Sequence, residues 1–224
     1  MSQTALNLIA IAVFTITMST LAGPLIHLSP AVPAAVTAGL LGLAAVDTLA
    51  LESRGATLLV DAFASEQERE RVLIHEAGHF LAAYCLGIPV IGYTLTAWEA
   101  WRAGQPGQGG VVFDTTYLQT LTPRQLPLVL ERYATVWMAG IAAETLRGDR
   151  VTGGDGDRQR LREALKLAGL PPNTYAQKES WALLQAKNLL ERQRQAYDAL
   201  VTAMKERASI ADCYRVIQEA MLRE

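Results

Sequence analysis

The sequence predicts a mainly α-helical chain with a small β-sheet, in which a two-helix transmembrane hairpin (residues 1–51) leads into a water-facing domain (residues 52–224). Three observations carry this. Charge is segregated: of 20 basic and 22 acidic side chains, only Asp47 lies between Met1 and Leu51. Hydrophobicity is segregated with it, into two runs long enough for membrane helices. Beyond Glu52, helix caps and stops bound apolar stripes, except for two short runs rich in β-branched and aromatic residues. The net charge of −2 and the lack of a basic run argue against a nucleic-acid binder. The composition excludes a disordered or collagen-like chain. The residues after Leu51 suffice for one core.

The first run, Thr4 to Ile26, is uncharged and carries Leu6, Leu8, Ile9, Ile11, Val13, Phe14, Ile16, Met18 and Leu21. It lacks the basic start of a signal peptide, so a spanning helix is the expectation. Gly23-Pro24 and Ser29-Pro30 break it. The second run, Ala31 to Leu51, is weaker and rich in Ala and Gly, with Gly39 and Gly42 suited to close helix contact in lipid. A buried or interfacial helix is its alternative. Arg54, Arg69 and Arg71 follow this run, and nothing basic precedes the first. The expectation is an integral membrane protein with the bilayer as partner and its domain on the cytoplasmic or stromal side, in a cell inner membrane or a thylakoid-type membrane. His27 would sit at the membrane boundary. Cys85 and Cys213 show no metal spacing and read as reduced and structural.

The next helix carries the chemistry. Ser65-Glu66-Gln67-Glu68 is a capping box, and Gly87 with Pro89 ends the helix after Cys85-Leu86. Between them lies His75-Glu76-Ala77-Gly78-His79, an H-E-x-x-H pattern. Residues four apart share a helix face, so both imidazoles can reach one ion. Glu76 is rotated off that face and can address a water beside the ion. Gly78 costs a helix about 1 kcal/mol relative to Ala, which suggests close approach of another backbone. Catalytic zinc needs three protein ligands. The metzincin extension is absent and no further histidine lies in residues 52–224, so a carboxylate is required. The Gly-rich turn Val151 to Asp157, opening a helix at Arg158 to Leu167, offers Asp155 and Asp157, and spacing does not choose between them.

The other elements frame this helix. Val90 to Leu95 and Gly110 to Phe113 read as strands flanking a Gly-rich loop that carries Trp98 and Trp101. An extended peptide can add to such a sheet edge. Leu126 to Leu146 reads as a helix closed by Gly148; its Glu144 either orients a ligand histidine or is an exposed helix-end carboxylate. Gly169 to Asn173 is a linker. A long amphipathic helix from Thr174 to Arg207 follows, then another from Ser209 to Leu222. Glu191, Arg192 and Arg194 read as a solvated face, with a protein–protein surface as the alternative.

Together these residues resemble the FtsH-type membrane zinc metalloproteases, over roughly Ser65 to Leu222. His75 to His79 resembles that family's zinc motif. Met138-Ala139-Gly140-Ile141-Ala142-Ala143-Glu144 resembles its A-G-x-A-A-E helix, and Val151 to Asp157 its T-G-A-x-x-D turn. The resemblance implies an FtsH-like peptidase domain with Zn2+ on His75, His79 and Asp157, and Glu76 as catalytic base. The chain departs from the family in having no G-x-x-x-x-G-K-[ST] motif, hence no ATP site of that kind. The segment from Thr96 to Gly110 also lacks the family's P-R-G sequence. The expected function is a membrane-anchored, ATP-independent zinc metalloendopeptidase acting on unstructured or damaged proteins, as a homo-oligomer or with FtsH-type partner subunits. The alternative is a non-catalytic zinc-binding membrane adaptor or regulatory subunit of an ATP-dependent FtsH-type complex. An intramembrane protease is disfavoured because Glu66 to Arg71 is densely charged, which suits water rather than lipid, and no N-P-D-G sequence exists.

Overall fold

The computed structural model describes residues 3–27, 29, 31–50, 58, 61–105, 110–116, 118, 122, 124–148 and 153–223. Its elements in chain order are α1 (Gln3–Ala22), α2 (Ala31–Ala50), α3 (Glu66–Cys85), β1 (Val90–Thr94), α4 (Ala97–Arg102), β2 (Gly110–Phe113), α5 (Leu126–Arg147), α6 (Asp155–Leu167), α7 (Tyr175–Arg192), α8 (Arg194–Lys205) and α9 (Ile210–Met221). Two compact units result: Met1–Glu66 with Thr96–Gly109, and Gln67–Leu95 with Gly110–Glu224. The expected boundary between Leu51 and Glu52 lies outside the described residues, as do Arg54, Val151, Thr152 and the glycines at 107 and 109.

In the first unit, α1 and α2 form where the apolar runs place them, with a 3-10 turn at Gly23–Ile26 after α1. The membrane hairpin is corrected. Among the described residues no helix is long and apolar enough to cross a membrane. Thr15, Thr17, Ser19 and Thr20 dilute the second half of α1, and α2 draws much of its length from Ala and Gly. Thr17 and Thr20 turn their hydroxyls onto the carbonyls of Val13 and Ile16. The expectation of an integral-membrane location falls with the hairpin. His27 is exposed, with a left-handed φ of 56°.

A short helix, α4, also stands where only a loop was expected. Its cap is legible in Thr96-Ala97-Trp98-Glu99: the Thr96 hydroxyl accepts from the Glu99 N–H at 3.1 Å. The rings of Trp98 and Trp101 lie 4.9 Å apart on it.

The second unit is mainly helical around a two-stranded antiparallel sheet. α3 begins one residue after Ser65, as its capping box requires. It ends in a Schellman motif, with Gly87 at φ 69° and the Ile88 N–H reaching back to the Ala83 carbonyl at 2.9 Å. From Leu73 to Ala83 every residue of α3 is buried, because α3 is enclosed rather than laid on a surface. α5 packs against it at Gly78. A Cβ on Gly78 would lie 2.5 Å from the Ala139 carbonyl oxygen and 2.9 Å from the Ala143 Cβ. The backbone approach expected at Gly78 is therefore present.

β1 and β2 pair with a bulge between Val90 and Gly92. The C-terminal helices hold both sheet and site helix in place. Tyr214 accepts from the Val90 N–H at 2.8 Å, Tyr93 donates to the Ala208 carbonyl at 2.7 Å, and Tyr197 donates to the Ile74 carbonyl at 2.8 Å. The expected single helix from Thr174 to Arg207 is two. Gln193 (φ −102°, ψ 36°) leaves the helical region between α7 and α8, so that Leu189, Leu190, Leu200 and Met204 all reach the core. Neither Pro nor Gly marks the break. Arg194 pairs with Asp198, and Arg215 with Asp212 and Glu219, on an exposed face, as the amphipathic pattern implies.

Candidate metal centre

Three buried side chains converge from two elements: His75 and His79 from α3 and Asp157 from the first turn of α6. They are 9%, 6% and 6% exposed, a burial that polar groups sustain only with partners. The helical spacing of the histidines does what the sequence required. The two rings meet edge-on with centroids 4.6 Å apart.

Each imidazole is fixed through its Nδ1. His79 Nδ1 lies 2.7 Å from the Val136 carbonyl, which can only accept, so Nδ1 carries a proton and Nε2 is the ring nitrogen turned to the cluster. His75 Nδ1 lies 2.6 Å from Glu144 Oε1 and donates to that carboxylate in the same way. Both Nε2 atoms then face Asp157 Oδ2, at 3.1 Å and 3.5 Å. Zinc–ligand distances near 2.0–2.1 Å in a tetrahedral site put neighbouring ligand atoms about 3.3 Å apart. The donor set and its separations thus fit a metal ion, and the cluster could hold one.

Asp155 and Asp157 part company here. α6 begins at Asp155 rather than Arg158, with Gly154 at its N-cap. Two residues along a helix turn the side chain to the other face. The Asp155 side chain is 97% exposed and faces Arg158 at 3.7 Å, whereas that of Asp157 is 8% exposed and faces the histidines.

Glu144 is fully buried and belongs to the site, not to an exposed helix end. Arg71, one turn before His75 on α3, lies 3.4 Å from the same Glu144 oxygen. Glu76 is 9% exposed, and its Oε2 accepts from the Val111 N–H at 2.9 Å. The outer edge of β2 therefore runs beside Glu76. Cys85 and Cys213 are both free, as expected. Burial pushes both thiols upward, Cys85 to about 11, so neither offers a thiolate near neutrality.

Sequence reasoning missed Arg71, the Val136 carbonyl and the role of Gly140. Arg71 had a signal, since i and i+4 place it on the His75 face. The Val136 carbonyl had none, because every residue carries one. Gly140 stood in a quoted motif without a reason. A Cβ there would land on the His75 ring, at 2.6 Å from its Cδ2 and Cε1.

Electrostatics follow from this packing. Burial alone would disfavour a charged His75. Hydrogen bonds to Asp157 and Glu144, with the nearby Glu76 charge, overcome it and raise the group to about 10. For Asp157 burial again works against charge, but the two histidines hold it well below the usual carboxylate range. A proton thus occupies the place that fits a metal, so metal loading should release it and strengthen with rising pH. The sign for metal-free stability is opposite. His75 gains a proton more readily folded than unfolded, so its contribution is full below its ordinary value of 6.5 and lost as pH rises toward about 10. Chelator-treated protein should show a thermal midpoint that falls across that window, and His75→Gln should flatten the fall. A midpoint independent of His75 there would remove the ion pair from the stability account.

No family model matches this chain, and comparison with curated proteins and with solved structures likewise returns no match. Fold and site together define a mainly helical protein with a buried His–His–Asp cluster able to hold a metal ion.

Proposed function

We propose that the second unit is an ATP-independent zinc metalloendopeptidase of the kind its motifs resemble, acting on unstructured protein segments. The observation that carries this is the placement of Glu76. It sits next to the ligand His75, outside the ligand set, and is tethered to the edge of β2 rather than to the metal cluster. A structural metal site has no use for such a carboxylate, whereas hydrolysis needs a base beside the ion.

Zn2+ bound to His75, His79 and Asp157 would polarise the scissile carbonyl and acidify a water. The protein's own groups do the rest. Glu76 takes the proton of the attacking water as the new carbon–oxygen bond forms, then passes it to the leaving amine as the acyl–nitrogen bond breaks. Glu144 and Val136 hold the two histidines in the tautomer that leaves Nε2 free. The edge of β2 offers main-chain hydrogen bonds to an extended peptide laid beside Glu76. A chain with no unfoldase motif suits segments that are already loose.

The test combines metal analysis with hydrolysis of an unfolded protein such as casein. Purified protein should carry about one equivalent of zinc and cleave casein, and should lose both on chelation and regain both on zinc addition. Absence of a bound transition metal after zinc loading would end the reading. So would casein cleavage that survives removal of the metal.

A further inference from the structure

A second site lies elsewhere in the same unit. A cavity of about 580 Å³ opens between α5, α6 and α7, lined by none of His75, Glu76, His79 or Asp157. Its size falls within the range of small-molecule sites. Leu130, Leu165 and Leu189 form much of its apolar wall, and Trp181, 52% exposed, stands on it. The charges on this wall are unbalanced. Lys178 and Glu131 meet at 2.7 Å and cancel. Arg132 and Arg192 also line the cavity, are exposed, and have no carboxylate partner among the described residues. Arg192 spends one N–H on the Asn188 carbonyl, and its charge stays unmatched.

An apolar cavity with two unmatched guanidinium groups selects a particular ligand chemistry. The wall would bury a hydrocarbon chain, and a guanidinium pairs with a carboxylate through two parallel hydrogen bonds. A cationic chain would meet like charge, and a neutral one would gain nothing from the guanidiniums. We propose that this cavity binds a single-chain amphiphile with a carboxylate head, a long-chain fatty acid. The cavity reaches the neighbourhood of the metal centre through the chain itself: Ala134 and Thr135 line it, and the next residue, Val136, holds His79. The proposal does not depend on the peptidase reading.

The 224-residue chain should be titrated calorimetrically with dodecanoate below its micelle concentration, and with dodecyltrimethylammonium as the charge-reversed control. The expected result is one dodecanoate per chain and at least tenfold weaker binding of the cation. The double variant Arg132→Gln with Arg192→Gln should weaken dodecanoate binding at least tenfold and leave thermal unfolding unchanged. Tryptophan fluorescence should change on binding in the wild type and not in Trp181→Phe. Equal affinity for both chains, indifference to the arginines, several chains per protein, or a signal that persists in Trp181→Phe would each overturn the proposal.

Discussion

Replacing Glu76 by Gln should lower hydrolysis of unfolded protein by about 10²–10⁴-fold, the usual worth of a positioned general base. Zinc content and thermal midpoint should stay at wild-type values. The structure makes this substitution clean. Gln keeps the shape of Glu and keeps a carbonyl oxygen for the Val111 N–H, which Glu76 accepts at 2.9 Å. It leaves the ligand set of His75, His79 and Asp157 whole. What it removes is the capacity to accept a proton from water. The variant therefore separates the proposed peptidase from a zinc-binding adaptor, for which Glu76→Gln would be silent in every assay. Cleavage of casein by Glu76→Gln at the wild-type rate would eliminate Glu76 as the base. Loss of zinc together with activity would reassign Glu76 to holding the site.

Much of the second unit could be read from its residues because local rules and global packing agree there. Ser65, Gly87 and the spacing of His75 and His79 specify the bounds of α3 and the face its histidines share. Gly148, with its left-handed φ of 80°, ended α5 as expected. Spacing alone does not separate Asp155 from Asp157, and only the resemblance names Asp157; in the fold the two lie on opposite faces of α6, Asp155 toward solvent and Asp157 toward the histidines. The break at Gln193 was invisible for another reason: no Pro or Gly forces it, and tertiary packing of Leu189 and Leu200 overrides a pattern that local propensity would continue. The first unit failed at a threshold rather than at a pattern. Absence of charge located α1 and α2, but absence of charge is not sufficient hydrophobicity, and Thr, Ser, Ala and Gly make the difference. The cap at Thr96 has a local signal, since Glu99 stands three residues on, as a capping box requires.

Gly140→Ala should disable the metal centre although no ligand is touched. In an exposed helix this change would stabilise by about 1 kcal/mol. On α5 the new methyl group would overlap the His75 ring, whose Cδ2 and Cε1 lie 2.6 Å from its position. His75 cannot yield easily, because Glu144 holds its Nδ1 at 2.6 Å and both residues are buried. Overpacking of this kind costs about 1–3 kcal/mol, so the gain in helix propensity is cancelled or reversed. The larger effect is on zinc. A displaced imidazole loses both its orienting hydrogen bond and its approach to Asp157, and disturbed orientation alone costs metal sites about 10–100-fold in affinity. Competition with a chromophoric chelator would measure it. Gly156→Ala is the matched control, since it lies on α6 beside the ligand Asp157 and its methyl group would meet nothing within 4 Å. It should keep zinc affinity at the wild-type level. If Gly140→Ala bound zinc as tightly as Gly156→Ala, the Gly140 backbone would not be what seats His75.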